Sequence, residues 1–167
     1  MGRVSPTSVL PWEWRMSTRA DGDFHLEQPD GVLATTRRRL VDLPWTMLDE
    51  VHGTDVLEVT EPGEHDGRVG DALVTDLAGV VLGAWVGDCA PVAFASSNGR
   101  LGVAHAGWRG LEAGVLQATA AAVGADGGPA ILARCRRARL ERTADRAGRP
   151  PAHLVSEPSR VLVALRV

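Results

Sequence analysis

Three apolar runs crowded between residues 80 and 105 constrain this chain more than any other feature. They are Val80-Val81-Leu82-Gly83-Ala84-Trp85-Val86, Ala90-Pro91-Val92-Ala93-Phe94-Ala95 and Leu101-Gly102-Val103-Ala104-His105. Each is too short for a core helix and shows no polar alternation, which reads as a strand buried on both faces. Ser96-Ser97-Asn98-Gly99-Arg100 joins the last two runs, and its Asn-Gly pair is a strong hairpin signal. A helical period follows in Leu111, Val115, Leu116, Thr119 and Val123, with Gly124 as its stop. Upstream, Trp12 to Ser17 alternates like a strand and Val32 to Leu43 reads as a helix broken by Pro44. Val56-Leu57-Glu58-Val59 is a further strand, Glu64 to Gly70 a loop, and Val161 to Leu165 a last strand. The fold class expected is α/β (mixed α+β), a mixed sheet of buried strands with a helix after His105-Ala106-Gly107-Trp108-Arg109-Gly110.

At 167 residues the chain fits one domain of ordinary size. Its net charge of -3 conceals a split. Residues 1–133 carry 9 Arg against 18 acids, and residues 134–167 carry 9 Arg against 3 acids. That boundary predicts a domain over 1–133 and a divergent, Arg- and Pro-rich tail over 134–167. The acidic first part offers no electrostatic footprint for nucleic acid. Two cysteines are too few for a disulfide scaffold. No apolar run approaches the roughly 20 residues of a membrane helix, and the first residues hold no apolar leader core. A cytoplasmic protein without membrane or nucleic-acid partners is the expectation.

Three residues stand out for chemistry: His52 in Val51-His52-Gly53-Thr54, Cys89 in Gly87-Asp88-Cys89-Ala90-Pro91, and His105 before Ala106-Gly107. Each lies within two residues of a Gly or Pro and is expected at the end of an apolar strand. Two imidazoles and a thiolate form a zinc set, and three protein ligands leave the fourth tetrahedral position open. Taken singly, each has a plainer reading: a thiol after a buried strand is usually a core residue, and a lone histidine is usually hydrogen-bonded or solvated. Their spacings fit no zinc ribbon or finger. Composition and spacing leave both readings open.

The blocks Asp71-Ala72-Leu73-Val74-Thr75, Gly87-Asp88-Cys89-Ala90-Pro91-Val92 and His105-Ala106-Gly107-Trp108-Arg109-Gly110-Leu111 resemble the polyphenol oxidase (laccase-domain) family. Its members are also described as multifunctional purine nucleoside phosphorylases. Val51-His52-Gly53-Thr54-Asp55-Val56 is similar to that family's Gln-Val-His-Gly block, with Glu50 in place of Gln, and Gly87 replaces the usual Ala before Asp-Cys. The resemblance covers roughly Trp14 to Leu132, with Arg37 to Leu40 as a weaker match. It implies that His52, Cys89 and His105 bind one zinc. It implies phosphorolysis of adenosine, inosine and methylthioadenosine, and deamination of adenosine. Copper-dependent phenol oxidation ranks lower, because one Cys and two His do not make a multicopper ligand set.

Under that resemblance Arg109 holds phosphate against the ribose carbon, and Asp88 orients a ligand or does acid–base work. A turn carboxylate and a surface arginine are the plain alternatives for these two. Asp71 stands either behind a ligand or in a structural role. Trp108 either stacks on a purine or packs in the core. Arg37, Arg38 and Arg39 read as a solvated helix face, and His65 and His153 receive no role.

The family pattern stops near Cys135, where Gly-Pro-Cys has become Ala133-Arg134-Cys135. Members near 240 residues would continue through the remaining third of the family domain. The abrupt Arg-rich replacement is what a shifted reading frame produces. Apolar runs are then expected to be left exposed or unpaired. Two further readings compete with the zinc enzyme: a metal-free thiol hydrolase with Cys89 as nucleophile and His105 as base, and a truncated, inactive metal-binding domain.

Overall fold

In the computed structural model, residues 12–87, 89–124, 133–134 and 160–166 are described. Strands β1 (Trp12–Met16), β2 (Trp45–Met47), β3 (Val56–Val59), β4 (Ala72–Thr75), β5 (Val81–Val86), β6 (Ala90–Ala95), β7 (Leu101–Ala106), β8 (Ala133–Arg134) and β9 (Arg160–Arg166) form two sheets. The first has the order β1-β9-β5-β2 and the second β3-β4-β7-β6-β8. Both are mixed: β2 runs parallel to β5 and β3 parallel to β4, while the remaining pairs are antiparallel.

Alternation along the strands sorts the apolar side chains into layers. Leu82 and Ala84 of β5, with Leu162 and Ala164 of β9, meet Leu73, Ala93 and Val103 of the second sheet in one buried cluster. The intervening residues Val81, Val161 and Val163 face the other way, toward Phe24, Leu40, Trp45 and Met47. Leu40 ends helix α1 (Asp30–Leu40). Ala72, Val74, Val92, Phe94, Ala104 and Ala106 of the second sheet pack under Val115 and Val123. The doubly buried runs read from sequence are therefore strands with apolar cover on each face.

The helix expected over residues 111 to 123 is two helices, α2 (Trp108–Ala113) and α3 (Val115–Val123). Gly114 at φ 99° separates them, a left-handed backbone that glycine adopts without steric cost. The helix from Val32 to Leu43 starts and stops earlier, at Asp30 and Leu40. Strand β2 was not read from sequence.

The expectation of unpaired apolar runs is not met among the described residues. β5 lies between β9 and β2, β7 between β4 and β6, and β6 between β7 and β8. The strand read at Val161 to Leu165 is β9, and it occupies an interior place in its sheet rather than trailing as a loose end. The physical reason is its alternating apolar content: Val161, Leu162, Val163 and Ala164 are at most 1% exposed. Each such side chain contributes on the order of 1–3 kcal/mol by burial. Cys135 and His153 lie outside the described residues.

Candidate functional site

The register of β6 and β7 brings two of the three singled-out residues together. His105 is the penultimate residue of β7 and sits opposite Pro91. It shares a strand face with Val103, which points between the sheets, and it is 4% exposed. Cys89 stands two residues before Pro91, half-buried in the connection between β5 and β6. His52 arrives from the loop between β2 and β3 rather than from a strand end, so that expectation is corrected. Its backbone is left-handed, φ 63°, a conformation that costs a non-glycine residue about 1–2 kcal/mol.

The ligand atoms of His52, Cys89 and His105 all lie within 4.8 Å of one another. Cys89 Sγ is 3.5 Å from His52 Nε2, and the two imidazole rings meet edge-on at 4.8 Å between centroids. Tetrahedral zinc with ordinary Zn–N and Zn–S bonds requires donors about 3.4–3.8 Å apart. The His52–Cys89 separation already meets that, and His105 needs only a modest approach. The donor set is right for a borderline-soft divalent metal, with a coordination position to spare. Gly107 keeps the cluster open: a Cβ there would stand 2.9 Å from His52 Nε2 and closer still to the ring carbon Cδ2.

Behind the cluster lie two buried carboxyl groups. Asp71, directly before β4, has no side-chain exposure. Its Oδ1 faces His105 Nδ1 at 2.9 Å and accepts the His52 N–H at 2.8 Å, while its Oδ2 accepts the Gly53 N–H at 2.7 Å. Glu50 Oε1 accepts the Trp85 N–H at 3.0 Å, and its Oε2 lies 3.7 Å from His105 Nδ1. Burial pushes the Glu50 carboxyl up to about 9, so it is a neutral acid near pH 7. Burial also lowers His105, against the opposing pull of Asp71, and favours the neutral imidazole that a metal ligand must be.

On the outer side, Trp108 is 66% exposed and so is not a core residue. The Arg109 guanidinium lies 5.2 Å from the Trp108 ring centroid, and Arg109 is itself exposed. Val51 and Leu111 add exposed apolar surface on the segments that carry His52 and Trp108. Asp88 lies outside the described residues.

Arg37 departs from its sequence reading. It is buried, forms a two-pronged ion pair with Asp66 (2.7 and 3.1 Å) and lies 5.8 Å from the Trp45 ring centroid. It falls on the stripe Leu33, Arg37, Leu40, the buried residues of α1, so the helical period carried the signal; only Arg38 and Arg39 are exposed. His65 turns at φ 65° and places Nε2 3.1 Å from the Glu58 carbonyl, away from the cluster's ligand set. Sequence reasoning registered Glu50 only as a family departure and left Asp71 between two roles. What it missed was their burial against His105 and the hold of Asp71 on the His52–Gly53 backbone. Among the described residues no helix is long and apolar enough to cross a membrane.

Residues 21–134 match the family model described as multi-copper polyphenol oxidoreductase laccase. A purine nucleoside phosphorylase of Geobacillus stearothermophilus is 38% identical over 107 residues, covering 55% of this chain and 39% of the relative. One from Pseudomonas aeruginosa is 38% identical over 120 residues, covering 64% of this chain and 48% of the relative. The chain thus spans less than half of either relative's length. The crystal structure of the Neisseria meningitidis protein NMB0706 superposes with a TM-score of 0.53 at 31% identity, covering 60% of this chain and 44% of that one.

Proposed function

We propose that this chain, which belongs to the multi-copper polyphenol oxidoreductase laccase family, is a zinc-dependent purine nucleoside phosphorylase. It acts on adenosine and inosine with phosphate, releasing the free base and ribose 1-phosphate. Methylthioadenosine is a further substrate and adenosine deamination a second activity. The observation that carries this reading is the His52–Cys89–His105 cluster with an exposed Trp108–Arg109 pair beginning the next helix. The names of the Geobacillus and Pseudomonas relatives support it.

A zinc ion held by His52, Cys89 and His105 supplies a Lewis acid with an open position. The chain's own groups do the rest. Arg109 presents a planar guanidinium suited to two phosphate oxygens. The open face of Trp108 offers a purine base a stacking surface. Asp88, next to Cys89 in sequence, is assigned the proton handling at the base or at a ligand. Cys89 Sγ lies 3.5 Å from His52 Nε2, and His105, held by Asp71, completes a compact three-donor set suited to a metal.

The alternative reading is a domain that binds metal at the His52–Cys89–His105 cluster without turnover. Elemental analysis of the purified protein, with assays of adenosine and inosine in the presence and absence of phosphate, separates the two. Stoichiometric zinc with phosphate-dependent release of base supports the enzyme, and zinc without turnover supports the binding domain. Copper in place of zinc moves the reading toward phenol oxidation. His105→Ala is expected to lose both metal and activity; activity that survives it overturns the proposal.

A further inference from the structure

We infer that Asp71 is a positioning residue that sets two metal ligands at once, fixing the tautomer of His105 and the left-handed backbone of His52. The inference rests on the metal-binding part of the reading above. A neutral imidazole carries one N–H, and the position of that proton decides which nitrogen has a free lone pair. Asp71 Oδ1 lies 2.9 Å from His105 Nδ1, so the proton belongs on Nδ1 and the lone pair on Nε2. The backbone N–H of His105 also donates to the Asp71 carbonyl at 2.8 Å, which ties the two residues together through main chain and side chain.

The same carboxylate reaches the second ligand through the backbone. Its Oδ1 accepts from the His52 N–H and its Oδ2 from the Gly53 N–H, bracketing the residue at φ 63°. Three donors from two segments therefore converge on two oxygens of a side chain without solvent exposure. A carboxylate accepts at both oxygens, whereas an amide accepts at one and donates at the other. Asn at position 71 cannot satisfy the set. With its NH2 toward Gly53, two donors face each other; with its NH2 toward His105, Nδ1 must accept and the proton moves to Nε2. The second arrangement also sets the NH2 against the His52 N–H, so either one degrades at least one ligand.

Two measurements test this, with zinc alone as the probe. Nitrogen-15 chemical shifts of the His105 ring in the metal-free protein read the tautomer directly. Wild type is expected to carry the proton on Nδ1; a proton on Nε2 in wild type overturns the inference, and this readout needs no variant to fold. Zinc affinity measured by chelator competition is expected to fall 10–100-fold in Asp71→Asn. Wild-type affinity in that variant also overturns it. The tautomer is read without metal, so a wild-type protein that fails to bind zinc sinks the zinc reading while the Asp71 assignment is still judged separately.

Discussion

Two carboxylates, the solvent-reached Asp66 and the buried Asp71, do nearly the same thing to different ends. Asp66 receives both terminal nitrogens of Arg37 and the Met47 N–H; Asp71 receives His105 Nδ1 and the N–H groups of His52 and Gly53. Each joins two segments that are distant in sequence and holds a backbone in place. The difference lies in the cation-side partner. Arginine only donates, so the Arg37–Asp66 pair ends at Trp45 and is structural. Histidine has a second nitrogen, so the His105–Asp71 pair leaves a lone pair aimed at other groups, and those groups are His52 and Cys89. One carboxylate closes a network and the other opens one.

That contrast is open to attack at several points. Asp66→Ala strands the buried Arg37 charge and is expected to cost about 2–4 kcal/mol of stability in a denaturant titration. Zinc affinity should stay within about twofold, since the two networks share no side chain. A large loss of metal affinity would mean they are coupled.

Glu50 acts through pH. In the folded, metal-free chain its carboxyl holds a proton up to about 9, whereas an unfolded chain releases it near 4.5. The folded state binds the extra proton across that window, so stability falls as pH rises through it, by at most about 1.4 kcal/mol per pH unit. Glu50→Gln removes this slope, and denaturation midpoints between pH 5 and 9 would show the flattening. An unchanged slope would mean that Glu50 is not the group responsible. The Gln that the family resemblance implies here is the neutral form of the same shape.

Gly107→Ala sets a methyl group against the His52 ring and is expected to weaken zinc binding about tenfold, or about 1.4 kcal/mol, by chelator competition. The smallest effect on stability belongs to Trp108→Ala, within about 0.5 kcal/mol because the indole is already in water. A raised KM for inosine with zinc content unchanged would place its face against the purine. No change in KM would leave Trp108 outside the binding surface.

How much of this was legible in the sequence follows from where the information sits. Strands β5, β6 and β7 were readable because continuous apolar runs bounded by turns have few other solutions. β2 was not, because Trp45–Met47 is only three residues and is defined by its pairing with β5. The three ligand candidates were visible as residue types and as family blocks. The role of Asp71 was invisible, because it rests on backbone N–H groups contributed 18 and 19 residues away. Arg37 was misread for a related reason: its partner lies 29 residues downstream, and a row of arginines looks solvated until one of them is placed on the Leu33–Leu40 stripe. Contacts between side chains and distant backbone leave no period in a sequence.

The pairing of β1 with β9 has a consequence for how the molecule is made. Trp12 stands opposite Arg166 and Met16 opposite Leu162, so the strand nearest the start of the described chain has its sheet partner near the end. On a ribosome, β1 emerges early and must wait while some 140 further residues are synthesised, since it pairs with no other strand among those described. The β6–β7 hairpin that sets the register of Cys89 and His105 needs no such delay. The sheet that positions Cys89 and His105 can therefore form during synthesis, and the opposite sheet closes after it, as a clasp.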